Sequence, residues 1–165
     1  MDTLAHGLYG AAIAAKGGDE RLMAAGGVMG MLPDLIVQGT IIAQTGLVSG
    51  LKIMGGAGEG FPTGLIALYR WTHSLLAVAV LAAFFLLFKR KYLILVLPYL
   101  LHIAFDIFTH CGVFGTRIFF PFSDWHVCGM DYAQSLWFWE LNYGVLVLIY
   151  FLIYKRIFQP KFARK

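Results

Sequence analysis

The sequence predicts an all-α integral membrane helical bundle of about five membrane helices, on three observations. Hydrophobic residues make up 59% of the chain and charged residues only 13%, with a mean hydropathy of +0.73, whereas soluble domains carry about 25% charged residues. At 165 residues the chain has too little interior to hide that much apolar surface from water. Three stretches, residues 71–88, 92–108 and 132–154, approach the ~20 apolar residues that a membrane crossing needs. The first ends at Lys89-Arg90-Lys91 and the last at Lys155-Arg156.

The remaining elements follow in order. Residues 3–15 and 22–32 form two shorter runs rich in Ala and Gly, separated by the turn-like sequence Lys-Gly-Gly-Asp-Glu-Arg at 16–21. Small residues let membrane helices approach closely, so these two short helices are expected to pack inside the bundle. The opening segment is not expected to be a signal peptide, because it lacks a basic start and carries Asp2 and His6. Residues 37–64, Gly-rich and weakly apolar, read as a loop with an interfacial or re-entrant piece. Residues 71–88 read as one helix opened by His73. Residues 1–165 read as a single domain without internal repeats.

The net charge is +4. Its basic residues sit at the ends of apolar runs, which is a topological signal and argues against a nucleic-acid partner. Placing residues 16–21, 89–91 and the tail from Lys155 on one side gathers ten of the thirteen Lys and Arg there, leaving Lys52, Arg70 and Arg117 elsewhere. The positive-inside rule makes the crowded side cytoplasmic, so the N-terminus is expected outside and the C-terminus inside. The four tryptophans, Trp71, Trp125, Trp137 and Trp139, then lie toward the outer end, where an aromatic belt is expected. Cys111 and Cys128 form no CxxC pattern. A disulfide on an oxidising outer side and two free thiols are both open readings.

On this topology His6, Asp34, His73, His102, Asp106 and Glu140 fall at one depth, drawn from five helices. Charged residues at the centre of a membrane helix cost roughly 3 kcal/mol each, and ionisable residues there persist when they pair, meet water or bind an ion. His and Asp are ligands that zinc or manganese accept. His102 and Asp106, four apart, share a helix face about 40° apart. His110 continues that stripe, although Gly112 signals the end of the helix. Taken singly, each residue has a plainer role. A membrane His is often a hydrogen-bonded packing residue, Asp34 can cap a helix after Pro33, and His102 can simply pair with Asp106. Taken as a set at one depth, they favour a metal site.

These pieces resemble the bacterial family of membrane-bound, predicted metal-dependent hydrolases, the YdjM-like proteins. The resemblance rests on Met1-Asp2-Thr3-Leu4-Ala5-His6, Leu32-Pro33-Asp34, Trp71-Thr72-His73-Ser74-Leu75 and His102-Ile103-Ala104-Phe105-Asp106-Ile107-Phe108-Thr109. Gly112 and Phe120-Pro121-Phe122-Ser123 continue it. It covers nearly the whole chain in order. Two positions depart from the family pattern. Ile36 stands where a second acid often follows the Pro-Asp pair, and Tyr69-Arg70 replaces a His-Arg pair. This chain would therefore hold one ligand fewer or recruit another from Glu140 or His126. The His and Asp order is also distantly similar to zinc-dependent phospholipases C, which would imply phosphoester chemistry, Asp106 bridging two metals and Asp34 as ligand or general base.

The expected function is metal-assisted hydrolysis of a phosphoester or similar bond in a lipid or amphiphile at the outer face of an inner membrane. His73, His102 and Asp106 would hold one divalent ion, zinc or else manganese, and His6 and Asp34 would complete it or hold a second. Asp34 or Glu140 would take a proton. Arg70 and Arg117 would either grip a phosphate or anchor in the headgroup layer. Ser74 fits a helix cap better than a nucleophile. Two rival readings use the same residues: a divalent-metal or proton transporter, and a non-catalytic scaffold with a vestigial site.

Overall fold

The computed structural model describes residues 1–15, 18–55, 61–130, 132 and 135–158. Within them the chain is helical, without strands. The α-helices are α1 (Thr3–Ala14), α2 (Glu20–Thr45), α3 (Leu47–Gly55), α4 (Thr63–Thr72), α5 (Leu75–Phe88), α6 (Val96–Thr109) and α7 (Leu136–Phe158). A 3-10 stretch, Arg90–Leu95, leads into α6.

Side-chain caps set three of the starts, each satisfying backbone donors that a first turn leaves free. Asp2 accepts from the Ala5 amide, Asp19 from those of Arg21 and Leu22, and Ser74 from that of Ala77. The hairpin of α1 and α2 is closely packed, backbone against backbone. A Cβ added at Gly10 would meet the Gly26 carbonyl oxygen, and one added at Gly30 would meet the His6 carbonyl oxygen. Lipid tails are as apolar as leucine, so helices in a bilayer associate largely through such close backbone contact.

The other helices enclose this hairpin. Leu22, Ala25 and Met29 of α2 pack against Phe85 of α5 and Leu95 and Val96 leading into α6. Helix α7 lies along α1, with Leu146 against Met1 and Ala5 and the Tyr150 hydroxyl donating to the Leu8 carbonyl at 2.9 Å. These contacts gather Arg21, Lys89-Arg90-Lys91 and Lys155-Arg156 at one end of the bundle. The start of α1, the middle of α2, His73 and the end of α6 lie at the other. Large apolar side chains on α5 and α7 are exposed, among them Phe84, Leu87, Val147, Leu148 and Leu152, as a lipid-facing surface requires.

Among the described residues, three helical stretches are long and apolar enough to cross a membrane: Glu20–Thr45, Arg90–Thr109 and Leu136–Arg156. The pair Thr63–Thr72 and Leu75–Phe88 makes a fourth if a bend of 53° is counted within one span. Helix α1, at 12 residues, reaches only ~18 Å at 1.5 Å per residue, well short of the ~30 Å apolar core of a bilayer.

Two expectations need correction. Residues 37–64 are not mainly a loop, because α2 runs through Pro33 to Thr45 and α3 and α4 follow. The apolar positions Val37 and Ile41 bury themselves against Leu65 and Tyr69 of α4, and this packing outweighs the Gly and Pro signals. Residues 56–60 lie outside the described residues. Residues 71–88 are likewise not one helix. The chain breaks between Thr72 and Leu75, so His73 ends α4 and Ser74 caps α5.

Candidate metal centre

Three segments, α2, the break after α4 and α6, bring their polar groups to one buried point. The ligand atoms of Asp34, His73, His102 and Asp106 all lie within 4.8 Å of one another. His73, His102 and Asp106 are fully buried, while the Asp34 side chain is 17% exposed and marks the opening.

The local structure aims each ring. The break after α4 turns His73 inward, where its Nδ1 faces the Tyr69 carbonyl at 2.9 Å and its ring stacks on that of Tyr69. The Tyr69 hydroxyl is tied down by the Phe114 carbonyl at 2.8 Å. His102 on α6 points its Nδ1 at the Gly30 carbonyl, 2.7 Å away on α2. A carbonyl only accepts, so each Nδ1 carries a proton, and each ring, when neutral, presents its lone pair at Nε2. The two Nε2 atoms face each other at 3.0 Å. Asp106 Oδ2 lies 3.1 Å from His102 Nε2 and 3.4 Å from His73 Nε2. Asp34 Oδ1 lies 3.4 Å and 3.6 Å from His73 Nε2 and His102 Nε2.

Two imidazole Nε2 atoms and two carboxylate oxygens thus converge on one point. Asp106 Oδ2 is buried and finds no hydrogen-bond partner among the described residues. Such a set needs positive charge at its centre, and two nitrogens with two oxygens are a donor set that zinc accepts. The residues therefore fit a divalent ion. The supporting contacts also resemble those of metal sites, where the second ring nitrogen is held by a carbonyl and ligand carboxylates are hydrogen-bonded in turn. Asp34 Oδ2 accepts from the Thr3 hydroxyl at 2.7 Å, and that hydroxyl accepts from Gln38 Nε2 at 2.7 Å.

The other oxygen of Asp106 faces a second group. His6 Nε2 lies 2.9 Å from Oδ1, His110 Nδ1 3.1 Å and the Met1 amino group 2.9 Å. The Met1 amine also donates to the Thr109 hydroxyl at 2.7 Å. The His6 ring stacks on His102 at 3.7 Å between centroids, joining the two groups.

His6, Asp34, His73, His102 and Asp106 are thus brought together, and Glu140 is not. It is exposed on α7. Buried Asn142, two residues on and so ~200° round the helix, takes the inward face beside Tyr9. Neither Glu140 nor His126 replaces the acid missing at Ile36. His126 Nδ1 donates instead to the Asp124 carbonyl at 3.0 Å. Arg70 and Arg117 converge on Asp124, at 3.9 Å and 3.2 Å, outside the cluster. Ser74 caps α5. His110, whose role the sequence left open, joins the group, and the Met1 amine and Thr109 are the neighbours that sequence reasoning left out. The stripe 102, 106, 110 pointed at His110, but the helix ends at Thr109 and only tertiary structure shows the ring turning back. Cys111 and Cys128 are disulfide-bonded, which closes the segment after α6.

No curated protein and no solved structure gives a significant match to this chain. A family model does: that of the YdjM inner membrane protein matches residues 1–161. The match spans every element that supplies the buried His and Asp cluster, and the chain belongs to the YdjM inner membrane protein family.

Proposed function

We propose that the protein is a membrane-bound, metal-dependent hydrolase acting on a phosphoester or similar bond of a lipid at the outer face of the inner membrane. The observation that carries the reading is the pair of Nε2 lone pairs, His73 and His102, held 3.0 Å apart beside two carboxylates. Asp34, His73, His102 and Asp106 would hold one divalent ion, zinc or manganese. His6 and His110 with Asp106 Oδ1 would hold a second, with Asp106 bridging. A divalent ion at such a site lowers the pKa of water toward ~7 and polarises a phosphoryl oxygen.

The chain's own groups would do the rest. Asp34, the most exposed of the four, would serve either as the fourth ligand or, with His73, His102 and Asp106 holding the ion, as the base that takes the proton of the attacking water at Oδ1, with Oδ2 kept in place by Thr3. Arg117 and Arg70, now engaged with exposed Asp124, would exchange that carboxylate for the substrate phosphate. The basic residues at the far end of the bundle support a cytoplasmic placement for that end. The disulfide beside the cluster supports an oxidising compartment for this one.

The test is metal analysis of the full chain purified without chelator, paired with headgroup release from phospholipid vesicles. One to two zinc or manganese ions per chain and chelator-sensitive release are expected. Protein that is folded yet free of metal would remove the hydrolase reading.

A further inference from the structure

A cavity of about 240 Å³ lies between α1, α6 and α7, immediately beside the cluster. Its walls are Tyr9, Phe105, Phe108, Phe138, Leu141 and Val145. Met1 and Thr109, which both hydrogen-bond or approach Asp106 Oδ1, close the end nearest the carboxylate. Phe108, Leu141 and Val145 are exposed, so the cavity opens sideways onto the surface that the two helices turn toward lipid. From Phe138 and Thr109 it runs about one to two turns down the helices toward Tyr9 and Val145, away from the headgroup end.

One polar group breaks this apolar lining. Asn142 is 6% exposed, and its Oδ1 accepts from the Tyr9 hydroxyl at 3.1 Å. In this orientation of the amide, Nδ2 is buried with no partner among the described residues. A buried donor left unpaired costs roughly 1–3 kcal/mol. In an apolar slot open to the bilayer, the group that relieves the cost is an oxygen acceptor carried on a hydrocarbon chain.

We infer that this cavity binds one acyl chain of an ester lipid, with Asn142 Nδ2 donating to the ester carbonyl. The volume falls below the ~300–1,000 Å³ of sites that enclose a whole small ligand, which suits one chain segment entering from the side. An acyl group seated there directs the headgroup end toward Thr109 and Asp106. The inference rests on the lipid-hydrolase reading for the fate of that headgroup and gives its substrate a chemical class: an acyl ester, as opposed to an alkyl ether.

The test compares two radiolabelled probes on the full chain in nanodiscs. One is a lysophospholipid with a single palmitoyl ester, and the other is its alkyl-ether analogue lacking only the carbonyl oxygen. Using Asp106→Asn as the background prevents turnover. The ester is expected to bind about tenfold more tightly, the effect of one hydrogen bond to an otherwise orphaned donor. Adding Asn142→Leu should bring the ratio to about one while leaving ether binding within about twofold. Adding Val145→Trp should weaken both probes at least tenfold by filling the slot. Equal affinity for the two probes, or an ester preference that survives Asn142→Leu, overturns the inference. Should Asn142→Leu fail to fold, the two-probe comparison and Val145→Trp decide it. A metal-free native protein would defeat the hydrolase reading and leave the ester preference standing. Equal probe binding with metal present would do the reverse.

Discussion

The Gly30 carbonyl accepts the Nδ1 proton of His102 at 2.7 Å, and Gly30 is also where α2 touches the backbone of α1 at His6. One residue therefore sets the tautomer of one ring and the position of another. A methyl at Gly30 would collide with the His6 carbonyl oxygen. Gly30→Ala is expected to destabilise by ~1–3 kcal/mol, as overpacking does, and to lower bound metal measured on the folded fraction. Gly39→Ala, where an added Cβ meets nothing within 4 Å, is the control and should leave both unchanged.

The two oxygens of Asp106 face different partners, so the two ion positions should separate by mutation. His110→Ala or His6→Ala should reduce the metal content toward one ion per chain in a chain that binds two. His73→Ala should cost the ion between His73 and His102. Metal counts by mass spectrometry, with circular dichroism for folding, check this. A full complement of metal in the His6 variant would place that ring in a packing role only.

Arg117 is held at 12% side-chain exposure with Nε 3.2 Å from Asp124 Oδ1. If it grips phosphate, Arg117→Ala should lower turnover of a phospholipid about tenfold or more with metal content unchanged. Arg117→Lys should not restore it, because an ammonium cannot make the two-point contact. Turnover equal to that of the native chain in both variants would assign Arg117 to headgroup anchoring.

The disulfide between Cys111 and Cys128 follows directly on α6. In intact cells treated with a reductant, a membrane-impermeant maleimide should label both cysteines, and without reductant neither. Labelling only after the membrane is opened would reverse the orientation proposed for the bundle.

The membrane class and its helices were legible because composition and apolar run length are local quantities. The polar residues were legible too, since His and Asp are rare enough in lipid to stand out singly. What lay hidden was set by contacts between distant segments. Residues 37–64 look like a Gly-rich linker until Val37 and Ile41 meet Leu65 and Tyr69. The break at His73 comes from Thr72, His73 and Ser74 bonding locally to Tyr69 and Trp71 carbonyls, which no apolar average reveals. Glu140 and Asn142 differ by only two positions, and the sequence drew attention to the charge when the buried amide faced inward. His110 was visible in the spacing but hidden by the end of the helix.

The shortness of α1 bears on the depth of the first imidazole. A twelve-residue segment spans only ~18 Å, so His6 keeps its level through its partner: α2 holds it in register, with Gly30 against the His6 carbonyl. That register involves no residue of α6, so the hairpin by itself fixes where the first histidine sits.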